Sequence, residues 1–216
     1  MRYQSCSTQR YTSKMETVAV LDFETTGLSP SHGDRATEIA IALVQGGQVV
    51  DRFQSLMNAG RRIPLEVTQI TGIANAMIAK APPVAEVMAE ACRFVGNTPV
   101  VAHNASFDKK FWEAELAYLA LPSASVVACT MLLARRIYPD APNHRLSTLV
   151  QLLGLPQSGR AHRAMVDAEM TCHLWSRLQQ DVCKTYGTQS ANHALLTRLQ
   201  KVTRAKIPAF LNGCSG

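Results

Sequence analysis

The 216-residue chain has no apolar run approaching the roughly 18 residues of a membrane span, and its first residues lack the apolar stretch of a secretory signal. A soluble, cytoplasmic protein with no membrane partner is expected. The six cysteines, Cys6, Cys92, Cys129, Cys172, Cys183 and Cys214, form no C-x-x-C pair, so reduced thiols are expected in place of a disulfide framework. No Cys/His cluster has zinc-ligand spacing, which argues against zinc. Internal repeats and low-complexity tracts are also missing. With 47% hydrophobic residues, the length suits one compact domain with a little left over at its ends.

Excess charge is absent from the middle of the chain. The formal net charge is +6, but residues 1–16 carry three basic and one acidic residue, and residues 188–216 carry four basic and none acidic. The central 17–187 balances 15 against 15, so a nucleic-acid role for that region must rest on its chemistry.

Residues 1–16 are polar and without hydrophobic period, as in a disordered lead-in; a basic transit peptide, or a start at Met15, is the other reading. From Thr17 an apolar strand runs through Val18–Leu21 to Asp22-Phe23-Glu24, followed by turn residues as far as Gly33. Strand-like runs at 38–44 and 48–56 flank Gly46-Gly47, a two-residue hairpin link that makes them antiparallel. Helices are expected at 64–70, closed by Gly72, and at 83–95, closed by Gly96. A short buried strand follows at 99–102, then a helix capped by Asn104 and reaching about Leu121. A strand near 125–128, helices at 130–137 and 146–153, and a long helix over 163–180 complete the core. Three early strands followed by alternating strands and helices predict an α/β fold, its first strands antiparallel and its later ones parallel. Residues 191–205 read as one amphipathic helix, with Leu195, Leu199 and Val202 inward and Arg198, Lys201 and Arg204 outward. Its basic face is open to two readings, packing on the domain or contact with DNA or a partner.

Asp22 and Glu24 stand two apart at the end of a buried strand, so both point to one face, where charge is costly unless a cation neutralises it. One acid-x-acid pair is expected by chance on the order of once in such a chain. Glu113-Ala-Glu115 is such a pair; inside a helix it reads as solvated surface. Asp108 lies in the first turn of the helix that follows His103-Asn104-Ala105-Ser106-Phe107, and Asp167 in that of the helix after His162-Arg163-Ala164-Met165-Val166. Each acid has an ordinary explanation as a helix-start residue. Together they place four acids and a histidine at three strand-to-helix junctions.

With these residues the chain resembles the DEDDh 3′-to-5′ exonucleases, the DnaQ-like family of bacterial proofreading epsilon subunits. The resemblance covers about residues 17–180 and rests on D-F-E-T-T-G-L at 22–28, I-P-L-E-V-T-Q-I-T-G-I at 63–73, H-N-A-S-F-D at 103–108 and H-R-A-M-V-D at 162–167. The sister subgroup would have a tyrosine where Arg163 stands; His162 keeps the histidine form. The resemblance implies a ribonuclease-H-like, five-stranded mixed sheet flanked by helices, and two Mg²⁺ or Mn²⁺ ions held by Asp22, Glu24, Asp108 and Asp167. It also implies that Asp22 bridges both ions, that Asp108 acts through bound water, and that His162 is the general base. Thr25 and Thr26 would meet the terminal sugar through their backbone, Leu28 would wedge against the last base, and Phe107 would stack nearby. His103, Arg61, Arg62, Lys109 and Lys110 are read as structural or solvated. The expected substrate is the 3′ end of single-stranded DNA, with a polymerase or replisome partner left open. The rival readings are an exoribonuclease trimming RNA or tRNA ends and a non-catalytic nucleic-acid-binding subunit.

Overall fold

A computed structural model describes residues 16–121, 126–157 and 163–213 of the chain. Strand β1 (Thr17–Thr25) pairs antiparallel with β2 (Ala36–Gln45), and β2 pairs antiparallel with β3 (Gln48–Leu56). Both glycines of the Gly46-Gly47 link have positive φ, 58° and 82°, as a twist-matched two-residue hairpin requires. Strands β4 (Val100–Ala102) and β5 (Val127–Cys129) run parallel to β1, giving the order β3-β2-β1-β4-β5.

Two layers of helix cover the sheet. On one face α3 (Val84–Val95) and α4 (Ser106–Tyr118) pack against Ala19, Leu21 and Phe23 of β1. The other face carries Val18, Val20, Ala40 and Ala42 and is covered by α5 (Thr130–Ile137), α6 (Leu146–Leu152) and α7 (Ala164–Tyr186). Because side chains alternate along a strand, Asp22, Glu24 and Glu38 continue that second face towards the strand ends. Helices α1 (Leu65–Thr71) and α2 (Asn75–Ile78) close a small lobe around Ile63, Ile73 and Ile78.

Several expectations shift. Asn104 is not the cap of α4: it sits in the left-handed region at φ 58°, which asparagine tolerates, and the helix starts two residues later. The long helix continues to Tyr186, because Leu178 and Val182 extend its buried stripe, and it ends at left-handed Gly187. Residues 191–205 are not one helix. Instead α8 (His193–Leu199) ends where Gln200 turns inward, and a 3-10 turn at Arg204–Lys206 leads into α9 (Ile207–Asn212). Leu196, Leu199, Ile207 and Leu211 are buried in the α7 side of the core, while Arg198, Lys201 and Arg204 are exposed. Glu16 bonds the His193 amide; residues 1–15 lie outside the described part. Cys92, Cys129, Cys172 and Cys183 are free thiols, and among the described residues no helix is long and apolar enough to cross a membrane.

Candidate active site

The end of β1 delivers Asp22 and Glu24 to the face crossed by α7, and α7 begins so that Asp167, in its first turn, meets them. Carboxylate oxygens of Asp22, Glu24 and Asp167 all lie within 4.8 Å of one another. Asp108 comes from the opposite helical layer. It is 2% exposed and accepts the Phe23 amide at 3.1 Å, so it sits beside the stretch of β1 between Asp22 and Glu24.

Burial and mutual repulsion disfavour the charged forms of Asp22, Glu24 and Asp108. Burial, then Asp108, Glu24 and Asp167, hold Asp22 well above the usual carboxylate range. Burial, then Asp167 and Glu38, push Glu24 up to about 8, and burial pushes Asp108 up to about 7 against the Phe23 amide that favours its charged form. The donors are hard oxygens converging at coordination distance, and their repulsion is of the kind divalent cations relieve. Such a set fits Mg²⁺ or Mn²⁺ and does not suit zinc, which favours nitrogen and sulfur.

His162 lies outside the described residues, but its neighbour Arg163 is held firmly. The Arg163 guanidinium donates to Glu38 at 3.0 and 3.4 Å, the Ala164 amide donates to the same carboxylate at 3.3 Å, and Gln54 donates at 2.9 Å. Glu38, 1% exposed and directly opposite Glu24 in the sheet, therefore anchors the start of α7. Sequence reasoning passed over it. The available signal was a lone acid at the start of an otherwise apolar strand.

The turn after β1 is tied to itself. The Thr25 hydroxyl donates to the Gly27 carbonyl at 2.6 Å, and the Thr26 hydroxyl accepts the Arg35 amide at 3.0 Å. A Cβ at Gly27 would come within 2.4 Å of the Asp34 carboxylate that receives the Ser29 amide, so glycine is required there. This turn presents Leu28 at 77% exposure. Phe107 is half-buried, 5.0 Å from the Phe111 ring, and Lys110 lies over it while donating to the Leu28 carbonyl. Exposed Lys110 thus links Leu28 to α4, beyond the solvated role expected of it. Arg61 and Arg62 are exposed, and Lys109 pairs with Glu113 on the helix surface.

Glu115 is a correction. Far from being solvated, it is 2% exposed and receives Arg35 in a two-bond fork at 2.9 and 2.7 Å, plus the Ala36 amide at 3.1 Å. It sits three residues after Trp112 and four after Phe111, on the buried stripe of α4, which a helical wheel would have revealed. His103 is structural, as expected. One ring nitrogen meets Thr130 Oγ1 at 2.9 Å and the other the His144 carbonyl at 3.0 Å, and burial lowers it to about 4.

Comparison with known proteins agrees with this arrangement. A family model described as exonuclease (RNase_T) matches residues 19–175. The chain is 37% identical over 168 residues to the DNA polymerase III PolC-type of Bacillus cereus, a match covering 77% of this chain and 12% of the relative. It is 36% identical over 154 residues to the 3′-5′ exonuclease DinG of Bacillus subtilis, covering 70% and 16%. The chain thus corresponds to a small part of each of these relatives. Among solved structures, exonuclease X in complex with 5′-overhanging duplex DNA superposes with a TM-score of 0.67 at 27% identity, covering 85% of this chain and 99% of that one. The fold is the ribonuclease-H-like mixed sheet of such enzymes, and the chain belongs to the RNase_T exonuclease family.

Proposed function

We propose that the chain is a metal-dependent 3′-to-5′ exonuclease that hydrolyses the 3′ ends of single-stranded DNA to nucleoside 5′-monophosphates. The observation that supports it most is the convergence of Asp22, Glu24 and Asp167, with Asp108 beside them, in surroundings that raise the carboxyls of Asp22, Glu24 and Asp108. Two divalent cations about 3.5–4 Å apart would be held by these four residues, and when bound they supply activation of water and stabilisation of the departing oxygen. His162, next to the anchored Arg163, takes the proton from the attacking water; an unperturbed imidazole pKa of about 6.5 suits that task. Leu28 and Phe107 hold the terminal base by apolar contact, which ignores sequence, and the backbone at Thr25 and Thr26 meets the sugar. The PolC-type relative is by name a DNA polymerase, which supports a polymerase as partner. Free thiols support a reducing, cytoplasmic setting.

The test is incubation of 5′-labelled single-stranded DNA, and of matched RNA, with Mg²⁺ or Mn²⁺. A ladder shortening from the 3′ end of DNA, abolished by chelator and by Asp22→Ala, is expected. Cleavage that resists chelation, or persists undiminished in Asp22→Ala, refutes the site, and preference for RNA transfers the activity to RNA ends.

A further inference from the structure

The cleft does not end at the acids. A cavity of about 780 Å³ runs from Asp22 and Asp167 past Asn104 to a wall built by α5 and the segment entering α6, where Arg135, Asn143 and Arg145 face it. A second hollow of about 290 Å³ shares Asn104, Met131 and Arg135 with the first and continues to Lys109. The two are joined at Arg135. On their walls the only acids among the described residues are Asp22 and Asp167, and the cations are Arg135, Arg145 and Lys109.

The two arginines differ from those that hold acids elsewhere in the fold. Arg35, Arg163 and Arg177 each fork onto or bond a carboxylate. Among the described residues neither Arg135 nor Arg145 makes an ion pair: Arg135 reaches only the Met131 sulfur, at 3.7 Å, and Arg145 is held through its amide by Asn143 at 3.0 Å. Both side chains are exposed on a wall that is itself fixed. His103, neutral because burial lowers it to about 4, has one N–H, which must face the His144 carbonyl; its other nitrogen then accepts from Thr130. His144 in turn donates to the Tyr138 carbonyl at 3.0 Å. The end of β4 is thereby bonded to the segment that carries the arginines.

Leu28 and Phe107, where the terminal base is placed by the proposed function, on which this step rests, line neither hollow. The rest of the strand has to leave by a different route, and the joined groove opens from the same acids. We infer that this joined groove is the path of the preceding nucleotides, with Arg135 and Arg145 as ligands of their backbone phosphates. Recognition there is by phosphate charge, without regard to base.

The experiment measures binding of fluorescent oligothymidylates of about two to about eight nucleotides to the full chain, with Ca²⁺ in place of Mg²⁺, across a salt series. Each phosphate contact on a single strand contributes about 0.7 to the slope of log K against log salt. Arg135→Ala and Arg145→Ala should each lower the slope for the longer strands by about that amount and weaken their binding several-fold, with less effect on the shortest. Arg93→Ala, at an exposed position on α3 outside the groove, should leave the slope as it is. Slopes for both groove variants equal to the wild type overturn the path. Digestion of the same strands by wild type in Mg²⁺ separates the two readings: monomer release with unchanged slopes removes the path and keeps the exonuclease. A reduced slope without monomer release keeps the path and removes the exonuclease.

Discussion

Glu24 and Glu38 face each other in register across β1 and β2, yet they live in opposite surroundings. Glu38 receives a guanidinium, an amide and a carboxamide; Glu24 gets from Arg163 only the weakest of the effects acting on it, and burial with Asp167 raises it to about 8. Raised acids reverse the usual acid dependence of stability. The folded chain favours their protonated form, so without cations their contribution to stability is greatest below the ordinary carboxylate range and is lost as pH rises through about 7 and then about 8, the values of Asp108 and Glu24. A divalent ion binds the ionised form and offsets that loss. Chelator-treated protein should therefore melt lower at about pH 8 than at about pH 5, and saturating Mg²⁺ should raise the melting temperature far more at the higher pH. Thermal melts at both pH values check this, and equal Mg²⁺ shifts would contradict it. Asp22, Glu24, Asp108 and Asp167 were legible because each ends a strand or starts a helix. Glu38 was not, because the connection over residues 26–35 leaves the register of β1 against β2 open, and only that register sets Glu38 opposite Glu24.

At the level of elements, the connection between β1 and β2 is held from outside by α4. Arg35 forks onto buried Glu115 and lies 4.4 Å from the Tyr118 ring, and the Ala36 amide shares the same carboxylate. Glu113, two residues earlier, pairs with Lys109 at half-exposed positions of the same helix. The contrast sets a prediction about two acids in one helix. Glu115→Ala strands a mostly buried guanidinium and an amide and should cost about 2–3 kcal/mol in urea unfolding, whereas Glu113→Ala should change stability by less than about 0.5 kcal/mol. Similar values for the two would mean that α4 does not hold the connection. Here the sequence pattern misled because both acids of the helical pair were read as one solvated surface; the period of 3.6 puts Glu115, unlike Glu113, under Phe111 and Trp112. The strands and the hairpin were legible, since Gly46-Gly47 and the apolar alternation are local signals. The extent of α7 was less so, because Val182 belongs to a buried cluster that also draws on the distant Leu196, Leu199, Ile207 and Leu211.

For the whole molecule, that C-terminal segment decides whether the catalytic fold stands alone. Its stripe of leucines predicted packing, but nothing local announced the break at Gln200. That side chain turns in to accept the Cys129 amide at 2.6 Å and donate to the Val127 carbonyl at 3.4 Å, taking the place of a neighbouring strand at the edge of β5. His193 ties the segment to the sheet as well, through the Val100 carbonyl of β4 at 2.8 Å. Leu196, Leu199, Ile207 and Leu211 are buried to 2% exposure or less, and four such side chains are worth about 6–12 kcal/mol on an upper reckoning. A domain is typically stable by only about 5–15 kcal/mol, so the segment is comparable to the total. Its exposed Arg198, Lys201 and Arg204 remain able to meet phosphate, but truncation is a poor test of that, since the fold goes with them. Removing residues 188–216 should abolish cooperative urea unfolding, and Leu199→Ala in the intact chain should cost about 2–5 kcal/mol with the transition preserved. A truncated chain that unfolds cooperatively near the wild-type midpoint would show that β5 needs no cover and that the segment serves the surface instead.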